Sequence, residues 1–165
     1  QLGAYVYILA YDVSNNYRLY RYDRTNLSSG GTMMTIANQA FATTGGASVR
    51  MTSNGTDFLF NFKAGNSASD FVVSRYTLSG TTITYVSDIT CGSTADSVKE
   101  LVADSSNNIY GYSSADDKIR KFNSSGTLQY TTAAYASATN FLAKAGGTYY
   151  IGGTSPIRFT YLSLT

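Results

Sequence analysis

The sequence predicts an all-β fold in which short antiparallel strands repeat along the chain as four-stranded units. The 165 residues include 15 Gly, 15 Tyr and 8 Phe but only one Pro, and charged residues make up 13%. Aromatic and β-branched residues favour strands, whereas the Ser, Thr, Asn and Gly between them favour tight turns. Alternating apolar and polar segments also recur between Gly-containing turns, at a spacing of roughly 40–50 residues. Composition, alternation and repetition therefore predict the same class.

The clearest repeat is a Ser-Gly-Thr turn with an alternating strand on each side. Its glycines, Gly31, Gly80 and Gly126, lie 49 and 46 residues apart. A strand, a Gly-containing turn and a second strand form a β-hairpin. The predicted strands lie before the turns at 17–23, 71–77 and 118–123, and after them at 32–37, 81–86 and 127–131.

A second hairpin recurs upstream of the first. Its strands are predicted at 48–53 and 57–62, at 97–104 and 109–112, and at 139–144 and 148–151. We expect primed turns at Asn54-Gly55 and Gly146-Gly147, because both central residues of a type I′ turn need positive φ. Two successive hairpins then make one four-stranded meander with strands A to D.

A meander of about 40–50 residues has the length of one β-propeller blade. The sequence predicts a single domain, residues 1–165, with about three and a half blades at 4–38, 47–90, 96–135 and 138–165. The segment Asp12–Asn16 is similar to Asp104–Asn108, and aligning the two would shift the first unit by one strand. We prefer the Ser-Gly-Thr alignment because it relates three units rather than two.

The stretch 104–129 carries a resemblance to known repeats. It contains Asp-Ser-Ser-Asn-Asn-Ile-Tyr-Gly-Tyr and then Asp-Lys-Ile-Arg-Lys-Phe-Asn-Ser-Ser-Gly-Thr-Leu-Gln. The chain thereby resembles β-propeller repeat proteins of the NHL, kelch-like and quinoprotein types. It has no Trp-Asp dipeptide, no kelch double-glycine strand and no Trp docking motif. The resemblance implies four-stranded blades and leaves the subfamily open.

In this alignment the first unit lacks strand A and the fourth lacks strand D. Open sheet edges promote association with other strands. Two interpretations follow: these residues are a segment of a longer propeller, or identical subunits complete the ring. We favour the interpretation as a segment. The start at Gln1 rather than Met agrees with a processed or excised chain. A surface glycan or a protein receptor is the expected external partner.

Several catalytic sites are excluded by missing residue types. With no His, the chain can form neither a Ser-His-Asp or Cys-His site nor a metal site with an imidazole ligand. Cys91 is the only Cys, and its place after an apolar strand predicts a buried side chain rather than a reactive thiol. Glu100 is the only Glu, and no local motif proposes a pair of catalytic carboxyl groups. We expect no catalytic residue, no nucleotide and no other cofactor.

Charge and hydropathy exclude two further partners. The net charge is only +2, and the basic run Lys118–Lys121 alternates as on a solvated strand, so nucleic acid is not expected. No stretch of 18 apolar residues is present, so no membrane span is expected. Three glycosylation sequons, at Asn26, Asn54 and Asn123, are about as many as chance gives in this composition, although their turn positions would permit modification.

Two groups of residues are candidates for ligand binding. The first consists of polar residues in the two similar turns, together with a neighbouring tyrosine: Tyr11, Asp12, Asn15, Asn16, Asp104, Asn107 and Asn108. Their oxygens could ligate Ca²⁺, but Asx turns explain them more simply, and no metal site is expected. The second group could stack on sugars, although cross-strand packing is the simpler interpretation. Its members are Tyr5, Tyr7, Tyr11, Tyr17, Tyr20 and Tyr22.

A composition rich in Ser, Thr, Gly, Asn and Tyr and poor in Lys and Glu resembles that of bacterial surface proteins and of phage tail or virion-surface proteins. This predicts an extracellular, cell-surface or virion-surface location. The leading hypothesis is a non-enzymatic structural or adhesive β-propeller module that presents loops for protein or surface interaction. A carbohydrate-binding, lectin-like propeller is the first alternative, and a hydrolase using paired aspartates is the second.

Overall fold

A computed structural model describes residues 3–11, 17–37, 49–61, 70–93, 98–113, 116–134, 139–145, 148–153 and 159–162. These residues form fifteen strands and one 3-10 turn, Leu27–Ser29. The strands are β1 (Tyr5–Tyr11), β2 (Tyr17–Asp23), β3 (Thr32–Met33), β4 (Thr35–Ala37), β5 (Met51–Ser53), β6 (Asp57–Phe60), β7 (Asp70–Ser79), β8 (Thr82–Ser93), β9 (Val98–Ala103), β10 (Ile109–Ser113), β11 (Lys118–Phe122), β12 (Leu128–Thr131), β13 (Thr139–Ala145), β14 (Thr148–Gly153) and β15 (Phe159–Leu162).

The strands form four sheets, numbered here in chain order. The first sheet has the order β1-β2-β3, the second β4-β8-β7-β6-β5, the third β12-β11-β10-β9, and the fourth β13-β14-β15. Apart from β4, which pairs in parallel with β8, strands that are consecutive in the chain and share a sheet pair antiparallel. The predicted all-β class with four-stranded meanders is confirmed. The domain boundaries proposed above stay a prediction.

One predicted strand is divided between two sheets. The sequence predicted a single strand at 32–37, but β3 pairs with β2, whereas β4 pairs in parallel with β8 of the second sheet. Met34 lies between them, with its side chain buried and its N–H donated to the carbonyl of Leu19 at 2.8 Å. The chain therefore leaves one sheet and covers the outer edge of the next within a single residue.

The Ser-Gly-Thr turns contain the positive φ angles that glycine permits. Gly30, Gly80 and Gly126 have φ of 80°, 59° and 85°. In the first turn the residue with positive φ is thus Gly30 rather than Gly31. A Cβ at Gly31 would lie 2.4 Å from the Tyr22 ring, so this second glycine is required for close packing instead.

The expectation that Asn54 and Gly55 both take positive φ is wrong, and Gly146-Gly147 lies outside the described residues. Only Gly55 has positive φ, at 101°, and the N–H of Asn54 donates to the carbonyl of Asp57 at 3.4 Å. The central residues are therefore Gly55 and Thr56, and positive φ at the first alone is the requirement of a type II′ turn. The side chain of Asn54 decides this register, because its Oδ1 accepts the N–H groups of Thr56 and Asp57.

Each pair of neighbouring sheets encloses an apolar cluster. Between the first and second sheets, Leu19, Phe58 and Tyr76 are buried together with Met34, Phe60 and Ile83. The cluster between the second and third sheets contains Leu59, Val73, Ile89, Cys91, Leu101, Ala103, Ile109 and Phe122. The cluster between the third and fourth contains Val102, Tyr110, Tyr112, Ile119 and Leu142. The sheets therefore stack face to face in chain order.

The innermost strands of the second, third and fourth sheets lie side by side, and the short turns of these sheets lie at one common end. Strand β5 lies against β9, and β9 lies against β13. In an antiparallel meander the A–B and C–D turns occur at one end of the sheet, and the B–C connection at the other. Two contacts join neighbouring sheets at or next to these turns: Asn54 with Asn107, and Arg21 of β2 with the carbonyl of Gly80 at 3.0 Å. We call this end of the sheets the turn end.

Candidate functional site

Three of the predicted site residues lie in the turn between β9 and β10. Oδ1 of Asp104 accepts the N–H groups of Ser106 and Asn108, both at 2.9 Å. The carbonyl of Asp104 accepts the N–H of Asn107, which has a φ of 64°. The structure therefore brings Asp104, Asn107 and Asn108 together in one Asx-stabilised turn.

The same turn recurs between β11 and β12. Oδ1 of Asn123 accepts the N–H groups of Ser125 at 3.1 Å and Thr127 at 2.9 Å. The carbonyl of Asn123 accepts the N–H of Gly126, the residue with positive φ. Both turns therefore follow one rule: an Asp or Asn binds the N–H groups two and four positions later, and the third position takes positive φ.

Both carboxylate oxygens of Asp104 accept two hydrogen bonds from neighbouring residues. Besides the two N–H groups on Oδ1, Oδ2 accepts Nδ2 of Asn108 at 2.9 Å and the hydroxyl of Tyr110 at 3.0 Å. Burial alone would raise the pKa of Asp104, but the hydrogen bonds from Asn108, Tyr110 and Ser106 outweigh it and lower the pKa. This geometry supports the Asx-turn interpretation over a Ca²⁺ ligand.

The A–B turns of the second and third sheets are linked to each other. Nδ2 of Asn54 donates to Oδ1 of Asn107, 53 positions later in the sequence. The surrounding Gly55, Thr56, Ser105 and Ser106 are exposed. The turn end thus presents small polar side chains on two turns that a hydrogen bond links. It is the best-defined candidate surface for binding a partner. Sequence reasoning missed this contact, because nothing local relates the two asparagines.

The other predicted site residues belong to the β1–β2 connection. Tyr11 ends β1 and pairs with Tyr17, at the end of the first sheet away from the β2–β3 turn. Asp12, Asn15 and Asn16 lie outside the described residues. Tyr11 and Asp104 are therefore at opposite ends of the sheets to which they belong, and the structure does not bring Tyr11 to the Asp104 turn. A ligand-binding role for these seven residues stays a prediction.

Every carboxylate whose side chain the structure describes has a partner. Beyond Asp104, the pairs are Asp23 with Thr25, Asp57 with Arg75 and Thr77, Asp88 with Ser74, Glu100 with Arg50, Asp116 with Arg120 and Lys118, and Asp117 with Tyr112. The hydrogen bond from Arg120 is the main cause of the lowered pKa of Asp116, and that from Thr25 of the lowered pKa of Asp23. A general acid needs a raised pKa instead.

One ion pair connects the innermost strands of neighbouring sheets. Nε of Arg50, directly before β5, lies 2.8 Å from Oε1 of Glu100 in β9, whose side chain is 15% exposed. Sequence analysis identified Glu100 only as the single glutamate. Opposite charges on the A strands of successive units were the signal that could have found this pair.

Most of the N-terminal tyrosines that are described pack within the protein. Tyr7 contacts Phe58 edge-on with centroids 4.8 Å apart, and Tyr17 packs on the same cluster. The Tyr5 ring lies 4.3 Å from the guanidinium carbon of Arg21. Tyr22 covers Gly31, as described above. These contacts agree with cross-strand and inter-sheet packing, and sugar stacking stays a prediction.

Cys91 is buried, as predicted. Its side chain is 3% exposed and belongs to the cluster between the second and third sheets. Burial raises the pKa of the Cys91 thiol to about 12. The thiol is therefore protonated at neutral pH, and a reactive role is unfavourable.

The described residues contain no group of three or more His, Cys, Asp or Glu side chains that could hold a metal ion. They also contain no helix long and apolar enough to cross a membrane.

Comparisons with known proteins identify the fold but no family. No protein-family model matches the sequence, and no curated protein matches it. The structure is similar to BamB from Moraxella catarrhalis, with 16% identity, a TM-score of 0.54, and coverage of 93% of this chain and 38% of that one. It is also similar to regucalcin, a calcium-binding protein from Agrobacterium tumefaciens strain C58, with 11% identity, a TM-score of 0.57, and coverage of 92% and 50%.

A third similar structure is the computationally designed Ika4 protein, with 13% identity, a TM-score of 0.50, and coverage of 97% of this chain and 86% of that one. BamB and regucalcin are β-propellers, so the fold is that of a β-propeller, with about three to four blades in this chain. The chain spans about two fifths of BamB and half of regucalcin. At these identities the similarity establishes the fold alone, and no subfamily is identified.

Proposed function

We propose that this chain is a non-enzymatic β-propeller module that acts as a structural or adhesive element on an extracellular, cell or virion surface. The observation that carries the proposal is the partnering of every described carboxylate side chain. Asp104, Asp57 and Asp116 each stabilise a turn or a sheet. Their oxygens therefore support the scaffold rather than a reaction.

The turn end is the surface proposed to make the adhesive contact. Its exposed residues are Gly55, Thr56, Ser105 and Ser106, and the Asn54–Asn107 hydrogen bond holds the two turns together. A rigid surface loses little conformational entropy when it binds, which favours recognition by small polar groups. The surface location itself rests on composition, because chains rich in Ser, Thr, Gly and Asn are typical of such proteins.

A carbohydrate-binding role is the second candidate. Tyr130 on β12 is 53% exposed and lies two residues from Leu128, which is 50% exposed. An exposed tyrosine offers an apolar face and a hydroxyl group, which suits a pyranose ring. The two roles would then use different surfaces, the turn end for adhesion and the outer strand β12 for sugars.

One binding experiment separates these functions. The chain is coupled to fluorescent beads and applied to a glycan array and to immobilised extracellular matrix proteins. We expect bead retention on a protein surface, loss of retention for Thr56→Arg and Ser105→Arg at the turn end, and full retention for the control Gln129→Arg on β12. Retention on glycans that Tyr130→Ala abolishes would instead support the lectin. Release of reducing sugar from the array, or retention that none of these variants changes, would contradict the proposal.

A further inference from the structure

The first sheet has one face that no other described element covers. The residues on this free face alternate with those facing the second sheet, and they are Val6, Ile8, Ala10, Arg18, Tyr20, Tyr22 and Met33. Ile8, Tyr20 and Met33 form one row across the three strands. Ile8 is 46% exposed and Met33 is 53% exposed. Six of the seven side chains are apolar or aromatic, which is unusual for a solvated sheet face.

The opposite face of the first sheet packs against the second sheet. Tyr7, Leu9 and Leu19 pack against the second sheet. The second sheet in turn packs on the third, and the third on the fourth. The free face therefore continues a series of three apolar sheet-to-sheet interfaces, and a further sheet is the partner that this series requires.

The fourth sheet ends the series, and its second face lies opposite to the third sheet. Leu142 lies toward the third sheet. The next position along β13, Ala143, and its β14 partner Tyr150 belong to the other face. Ala143 is exposed, so this position of the face is uncovered. The series thus begins and ends on uncovered faces.

Of the two ways to complete the ring that the sequence left open, a longer chain or identical subunits, we propose the second. A second copy of this chain covers the free face, with its fourth sheet packed on the first sheet and its own first sheet packed on the fourth. The exposure of Ile8 and Met33 argues against closure within one copy, because closure would bury them. Two copies contribute eight sheets, within the four to eight blades typical of propellers, whereas three copies would exceed that range. Two identical interfaces then close the assembly and leave no free sheet face.

The test measures the mass of the full chain by sedimentation over a range of concentrations. We expect a species of twice 17.7 kDa for the unchanged chain. Ile8→Lys on the first sheet and Ala143→Lys on the fourth should each sediment at 17.7 kDa, because each places a charge in both interfaces. The control is Leu128→Lys, an equally exposed apolar residue on β12, which should keep the double mass. Circular dichroism and thermal unfolding show that each variant is folded.

Mixing the two disruptive variants tests which faces meet. In a mixed pair, the first sheet of the Ala143→Lys copy faces the fourth sheet of the Ile8→Lys copy, and this interface carries no substitution. Both lysines lie in the other interface. We expect the mixture to recover part of the double-mass species that neither variant forms alone. A chain that stays at 17.7 kDa at every concentration, a variant pair that does not recover, or open-ended oligomers would overturn the proposal. So would a longer native polypeptide that shields Ile8 as a single chain.

Discussion

At the residue scale, two devices determine the turns of this protein: an Asp or Asn side chain that binds nearby N–H groups, and one residue with positive φ. Asp104 with Asn107, and Asn123 with Gly126, use both devices in the same order. Asn tolerates the left-handed region better than most residues, whereas Gly has no steric cost there. At Gly126 no side chain would fit, because a Cβ would contact the carbonyl of Thr90.

We expect Gly126→Ala to destabilise the protein more than Gly80→Ala. Both glycines have positive φ, which costs an alanine about 1 kcal/mol. A Cβ at Gly126 would also lie 2.1 Å from the carbonyl oxygen of Thr90, whereas at Gly80 nothing lies within 4 Å. The total for Gly126→Ala should reach about 3 kcal/mol. Urea unfolding of both variants checks this, and equal midpoints would contradict it.

Stability should fall at alkaline pH because two buried groups resist ionisation. Burial raises the pKa of Cys91 to about 12, and burial with the nearby Asp88 and Tyr85 raises that of Tyr76 to about 12. The unfolded chain releases these protons near pH 9.0 and 10.0, so stability is complete below those values and falls as pH rises toward 12.

The variant Tyr76→Phe tests the tyrosine's share of this effect. It keeps the ring and removes the ionisable hydroxyl, so the loss of unfolding free energy between pH 10 and 12 should become shallower. Tyr130→Phe is the control, because that ring is exposed. Denaturant unfolding at a series of pH values measures the slope, and identical slopes for Tyr76→Phe and the unchanged chain would refute the assignment.

At the element scale, the short strand β4 protects a sheet edge. It pairs in parallel with the first residues of β8, and the N–H of Thr35 donates to the carbonyl of Thr81 at 2.8 Å. Ile36 packs on the cluster between the first and second sheets. An unpaired outer strand would expose N–H and C=O groups to other chains. The connection between two units therefore also covers an edge.

We expect Thr35→Pro to detach β4 while Thr35→Ala does not. Proline removes the N–H that bonds Thr81, and the loss with local strain should cost about 2 kcal/mol. Alanine keeps the N–H and serves as the matched control. Hydrogen exchange should accelerate at 82–84 in the proline variant alone, and unchanged protection there would show that β4 does not hold this edge.

At the scale of the whole molecule, apolar clusters between sheets provide the stability, and ion pairs contribute little. Leu59 is 2% exposed in the cluster between the second and third sheets. The Arg50–Glu100 pair joins the same two sheets, but the Arg50 side chain is 40% exposed. Solvent screening limits such a pair to roughly 1 kcal/mol or less.

Two substitutions at this one interface should therefore differ in effect. Leu59→Ala should cost about 2–5 kcal/mol, because it leaves a cavity between the sheets. Glu100→Gln, which removes one charge and keeps the shape, should cost less than about 1 kcal/mol. Thermal unfolding at low and high salt measures both. A larger loss for Glu100→Gln than for Leu59→Ala would mean that the ion pair dominates this interface.

The sequence by itself determined the local features of this protein. The strands alternate where the apolar residues alternate, and the Ser-Gly-Thr turns occur where glycine permits positive φ, because both depend on neighbouring residues. Cys91 could be recognised as buried for the same reason. The shift from Gly31 to Gly30, and the type of the Asn54 turn, could not be read locally, since packing of Tyr22 and hydrogen bonds of Asn54 decide them.

Only the tertiary structure decided which strands and side chains contact one another. It assigned Thr35–Ala37 to the second sheet, linked Asn54 to Asn107 and Arg50 to Glu100, placed Tyr11 away from the Asp104 turn, and left Ile8 and Met33 uncovered. The three contacts among these relations join residues 46 to 53 positions apart. Strand and turn propensities and the alternation of apolar residues act over a few residues. Contacts between sheets arise only when whole sheets have formed and stacked on their apolar faces.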